Sequence, residues 1–190
     1  MLKRLSFTAA LMTLAASPAF AHLDPEAHGS LMAGISHPLF GADHILAMVA
    51  VGIWASQIGG RALWAVPAAF VTMMAVGFGL AVAGVELPFV EPAILASVIG
   101  LGLLVAAAVR LPVAASAAVV GLFALFHGHA HGGELGAAGA LQFGLGFLIA
   151  TAALHAAGVA LGLGVTRLGP AVARILGLAT VVGGAAIAFS

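Results

Sequence analysis

Apolar positions along this chain fall in long runs, broken by short stretches that hold most of its charges, its Gly-Gly pairs and several prolines. After a polar stretch from His22 to Ser30, six such blocks lie near 31–58, 62–85, 92–110, 112–131, 135–165 and 170–189. Within each block the apolar positions show neither the one-sided helical stripe of a soluble protein nor the alternation of a half-buried strand. A helix rises about 1.5 Å per residue and the hydrocarbon layer is about 30 Å thick, so every block suffices for a transmembrane helix, and the fifth is long enough to tilt or kink. The pattern predicts an all-α integral membrane protein, a compact bundle of six transmembrane helices. Pairs such as Gly77/Gly79 and Gly144/Gly146 let the helices approach closely.

The N-terminus follows a different pattern. Lys3 and Arg4 precede an apolar run from Leu5 to Ala16, Pro18 breaks it, and Ala19-Phe20-Ala21 fits a small-residue cleavage site. The run is too short for a membrane span. Residues 1–21 therefore read as a cleaved signal peptide, and residues 22–190 as a six-helix permease domain with His22 at its start.

Composition reinforces the membrane reading. Hydrophobic residues make up 63% of the chain and charged residues 6%, with a mean hydropathy of +1.23; a soluble domain would not carry such a surface. There is no Cys, which excludes disulfides, thiolate metal sites and thiol redox chemistry. The formal net charge is zero and no basic run is present, so nothing points to nucleic acid. The expected surroundings are the lipid bilayer. Histidine stands out: there are eight, against six Asp and Glu together.

Charge also predicts orientation. A cleaved signal leaves the mature N-terminus in the periplasm, six spans return the C-terminus there, and positive charge should gather in the first, third and fifth loops. Arg61, Arg110, and Arg167 with Arg174 comply. The second loop, Glu86 to Pro92, holds only acidic charge, and the fourth, Gly128 to Gly133, is rich in His; both face the periplasm in this reading, which places the protein in a bacterial inner membrane.

The first block contains His37-Pro38-Leu39-Phe40-Gly41-Ala42-Asp43-His44. A charged Asp near the centre of a membrane helix costs about 2.5–3.5 kcal/mol on insertion scales, so it should face a protein interior or a wet cavity. On an unbroken helix His37 and His44 share a face but sit about 10 Å apart along the axis, too far to hold one ion. Pro38 and Gly41 mark where the helix can break and turn these groups inward. A metal-binding role and a polar network stapling helices both stand.

The second constellation is His127-Gly128-His129-Ala130-His131-Gly132-Gly133-Glu134. His127 and His131, four apart, share a helical face and can chelate one ion, and Glu134 continues that face. If the helix ends at Gly128, the histidines become a loop that scavenges metal. Imidazole and carboxylate without thiolate suit nickel, cobalt and zinc. Depth along the spans brings both constellations to one half of the bilayer, with His37, Asp43, His44, His127, His129, His131 and Glu134 as candidate ligands. Glu91, before Pro92, adds a carboxylate at the mouth or serves as a favourable acid at a helix N-terminus.

Other residues carry weaker signals. Met48 is a soft ligand by type but reads as core. His155 lies deep in the fifth block, where Thr151 four residues earlier offers a hydrogen bond; an inner site is the alternative. His22 would present an α-amine and an imidazole together after cleavage.

With these residues in hand, the chain resembles the HupE/UreJ family of nickel permeases over essentially its whole mature length. The resemblance rests on the signal peptide, the six spans, His37-x5-Asp43-His44 and the His-Gly-x-Ala-His-Gly-x-Glu pattern from His127 to Glu134. It implies nickel uptake serving hydrogenase or urease maturation, with His37, Asp43, His44, His131 and Glu134 as functional positions and Glu91 as an addition. Cobalt-directed relatives look similar.

The leading expectation is therefore transport of a divalent metal ion, with Ni²⁺ first and Co²⁺ or Zn²⁺ as alternatives, and with no resident cofactor. An intramembrane zinc-dependent hydrolase and a non-transporting metal-binding accessory protein are the competing classes. Neither H-E-x-x-H nor G-x-S-x-G is present, so no enzyme activity is expected.

Overall fold

The computed structural model describes residues 30–135 and 139–189, with the side chains of Glu134 and Leu135 left aside. The expected signal peptide, its expected cleavage point and His22 lie outside the described residues, as does the side chain of Glu134. Among the described residues there are seven α-helices and one 3-10 turn: α1 (Leu31–Phe40), α2 (Ala42–Ile58), α3 (Ala62–Val82), α4 (Val90–Ala107), α5 (Val113–Leu135), α6 (Ala140–Val165), the turn Thr166–Leu168, and α7 (Pro170–Ala188). No strand occurs among the described residues. Among the described residues five helices are individually long and apolar enough to cross a membrane, and α1 with α2 passes the same test as a pair bent by 81° at its break, which gives five to six candidate spans. The chain is a multi-pass membrane protein.

Two expectations change here, the first only by becoming definite. The first block breaks where Pro38 and Gly41 mark it, into two helices: Gly41 adopts an extended conformation, φ −79° and ψ 113°, which ends α1 and starts α2. Pro38 prepares the break, because its ring nitrogen cannot donate to a carbonyl one turn back. The second change concerns 128–133, expected as the fourth loop; it is helical, α5 runs to Leu135 and the next span begins only at Ala140.

Three of the four glycines in α5, Gly121, Gly128 and Gly132, are packing positions. A Cβ on Gly128 would collide with the Met74 carbonyl, and one on Gly77 with the Leu125 carbonyl, so α3 and α5 touch backbone to backbone. The register gives direction: Gly128 lies against Met74 and Gly132 against Phe78, which makes α3 and α5 parallel. Gly158 lies against Val49 and Gly162 against Ser56, making α2 and α6 parallel, while α4 and α7 pair antiparallel through Val98 with Gly184 and Ala106 with Gly177. With short connections, Arg61, Arg110 and Arg167 gather at one end and the Gly41 break lies at the other.

Helix α2 is the central element. Ten of its seventeen residues are buried, from His44 to Ser56, and it packs against α1, α3, α4, α6 and α7. Its lower half is tied to the end of α4, where Trp54 Nε1 donates to the Val109 carbonyl at 2.8 Å and Gln57 Nε2 to the Val105 carbonyl at 3.0 Å. The peripheral helices turn large apolar side chains outward, among them Leu122, Leu141, Ile149, Ile175 and Val182, which is the surface that lipid requires.

Candidate metal path

The break at Gly41 determines what the two constellations can do together. Ser30 caps α1 by accepting from the Ala33 amide at 3.0 Å, and His37 occupies the last turn of this short helix. The 81° bend then starts α2 with Asp43 and His44 in its first turn. His37 and His44 rings consequently meet at 6.2 Å between centroids, instead of sitting at two levels of one rod.

Helix α5 completes the group. His127 and His131 project from one face, as their spacing requires. The His131 ring lies 4.4 Å from His37 and 4.7 Å from His44, and His127 lies 4.9 Å from His44. Phe147 of α6 walls the group, 5.1 Å from His131 and 5.6 Å from His44. His44 and His127 are 2% and 0% exposed, so the imidazoles form an ordered file inside an apolar bundle: His37, then His131 and His44, then His127. Among the described residues no three His, Asp or Glu donors are assembled around a single ion position. The rings stand instead as successive neighbours.

Hydrogen bonds orient two of these rings. Asp43 Oδ2 lies 3.2 Å from His44 Nδ1; a carboxylate only accepts, so the ring proton sits on Nδ1 and the lone pair on Nε2. Helix α2's N-terminal dipole also favours the Asp43 carboxylate there. Ser97 of α4 does the same for His127. Its hydroxyl donates to the Ile94 carbonyl at 2.6 Å, leaving its oxygen to accept from His127 Nε2 at 2.8 Å. The His127 lone pair is then on Nδ1, which has no hydrogen-bond partner among the described residues.

Several expected ligands stand elsewhere. His129, offset by about 200° from its two neighbours on the helix, pairs its Nε2 with the Val85 carbonyl at 2.7 Å; it staples α5 to the α3–α4 connection and leaves the ligand group. Glu91 is exposed in the first turn of α4, the position of the helix-dipole role. Met48 is fully buried core. The hydrogen bond expected from Thr151 to His155 is not made: Thr151 Oγ1 contacts Met74 Sδ at 3.7 Å.

Ser97, Phe70 and Phe147 escaped the sequence reading. Ser97 had a signal, being the lone polar residue between Pro92 and Ala107. Phe70 and Phe147 had none, since each is one Phe among eleven.

No solved structure matches the chain. It is 51% identical over 173 residues to Protein HupE of Rhizobium leguminosarum bv. viciae, an alignment that covers 90% of either chain. The family model described as HupE / UreJ protein matches residues 10–187, nearly end to end. On both counts the chain belongs to the HupE/UreJ family.

Proposed function

We propose that this protein is a permease for a divalent transition metal, nickel first, bringing it across the bacterial inner membrane for hydrogenase or urease maturation. The observation that carries the reading is the file of four imidazoles from α1, α2 and α5 inside an apolar bundle. Buried polar rings are costly in a membrane protein and are kept where they contact a substrate or an ion. The cleaved signal peptide over 1–21, the mature 22–190 permease domain and the periplasmic placement of both mature termini belong to the same proposal, supported by the arginines collected at one end of the bundle.

In this mechanism Ni²⁺ arrives from the periplasm at His37 and His131 and exchanges water for imidazole. It then moves to His44 and His127, whose lone pairs are presented by Asp43 and Ser97. The Asp43 carboxylate supplies the negative charge that a divalent ion needs when leaving water. Successive neighbouring stops allow binding strong enough to admit the ion and weak enough to release it. Glu134 at the end of α5 is proposed as a further carboxylate ligand. No resident cofactor takes part; the metal is the cargo.

Initial uptake of radioactive nickel into vesicles containing the protein tests the proposal. Cobalt and zinc should compete, since imidazole suits them, while magnesium, which prefers oxygen ligands and keeps its water, should not. Uptake no greater than that of protein-free vesicles would refute it.

A further inference from the structure

The file of rings does not stop at His127. Phe70 of α3, fully buried, lies against His127 with centroids 5.8 Å apart, and its ring also meets that of His155 on α6, edge on at 4.9 Å. His155 is 1% exposed, and neither of its ring nitrogens has a hydrogen-bond partner among the described residues. A buried imidazole carries one donor and one acceptor, and leaving both unmet is expensive. The neighbour best placed in sequence to meet one of them, Thr151, is turned to Met74. A structural hydrogen bond therefore does not account for this residue.

Position adds a second argument. Counted from the end where α5 and α6 are joined, His127 lies about 12 Å along α5 and His155 about 22 Å along α6, so His155 is the deeper by about 10 Å. His155 is also among the residues lining an outward-facing groove between α3 and α6 that includes Leu63, the exposed Trp64 and Leu163, near the end that carries Arg61.

We propose that His155 is an inner binding residue for the transported divalent cation, separated from the outer histidines by the ring of Phe70. The proposal deepens the permease reading and rests on it. An ion leaving His127 passes an aromatic constriction before it meets the next nitrogen. Narrow apolar rings control passage through the cost of stripping water, and the face of a Phe ring tolerates a passing cation. His155 then supplies a nitrogen ligand on the far side of that ring. The outer group concentrates metal, and this residue receives it.

Full-length protein in liposomes enclosing a nickel-quenched dye provides the test, together with nickel binding to the same protein in detergent. His155→Phe keeps the ring and removes both nitrogens. It should lower initial uptake by about tenfold or more while the outer histidines still bind nickel. His155→Cys places a single thiol in a chain that has no other; loading it with Co²⁺ should produce a near-ultraviolet thiolate-to-cobalt absorption absent from the parent protein. Parent-like uptake by a well-folded His155→Phe protein, or no such absorption from His155→Cys, would overturn the inner site and leave the permease reading intact. Parent protein that carries no nickel would overturn both. Should His155→Phe fail to fold, the cobalt absorption decides by itself.

Discussion

His44 and His127 meet edge on, ring centroids 4.9 Å apart and planes at 87°, although one opens α2 and the other sits two turns before the end of α5. Each is held from behind by a different helix position: His44 by Asp43 and His127 by Ser97. Which nitrogen carries the lone pair is thus set by residues outside the file itself, and these supporting residues are the sharpest places to test the proposed path.

Asp43→Asn should abolish nickel uptake while leaving protein abundance near normal. The amide keeps the shape but removes the charge that offsets a divalent ion in a low-dielectric interior and relaxes the hold on His44 Nδ1. Immunoblotting beside uptake measures both quantities. Normal uptake by a well-expressed Asp43→Asn protein would make the Asp43–His44 contact a helix staple only.

Ser97→Ala should weaken metal affinity by about 10- to 100-fold, the usual effect of removing a residue that orients a ligating His. With the hydroxyl gone, His127 loses the acceptor for Nε2–H, and the tautomer with its lone pair on Nδ1 is no longer favoured. Equilibrium dialysis of nickel against purified protein reads this directly. Unchanged affinity would exclude His127 from the path or Ser97 from its support.

Gly128→Ala should lower the melting temperature in detergent, because the added methyl meets the Met74 carbonyl and pushes α5 off α3. Overpacking of this kind typically costs about 1–3 kcal/mol. The shift should also disturb His127 and His131, so metal binding should fall with it. Gly79→Ala on α3, where a methyl would have no atom within 4 Å, serves as the neutral control. Equal melting temperatures for the two variants would contradict the close α3–α5 contact.

Reporter fusions should place 59–61 and 166–169 on the cytoplasmic side and 83–89, together with the C-terminus, on the periplasmic side. The parallel pairing of α3 with α5 and of α2 with α6 requires the first two segments to share an end, and their arginines assign that end to the cytoplasm. A cytoplasmic C-terminus would be incompatible with six spans after an exported N-terminus.

Much of the architecture was legible in the sequence, since the bilayer imposes one rule on every span: about 20 apolar residues whose backbone satisfies itself. Five helices follow those runs closely, and the Pro38/Gly41 pair marked the broken one. Helical periodicity likewise placed His127 and His131 on one face. The 81° of the bend was not legible, because a break in a helix leaves the exit angle to whatever packs on either side. Nor was the helical state of 128–133: a Gly-rich His stretch reads as a loop until α3 is brought against it, when the same glycines become contacts.

By itself, then, the sequence determined a thiolate-free, histidine-rich helical membrane protein with two ionisable motifs, because composition and period act locally and need no partner. Only the tertiary structure decided which imidazoles form the file, that His129 leaves it for the Val85 carbonyl, and that Ser97 and Phe70 join it. Those choices depend on side chains that approach across 30 to 94 positions of chain, through crossings set by where glycine lets two backbones touch, and no local pattern encodes such a distance.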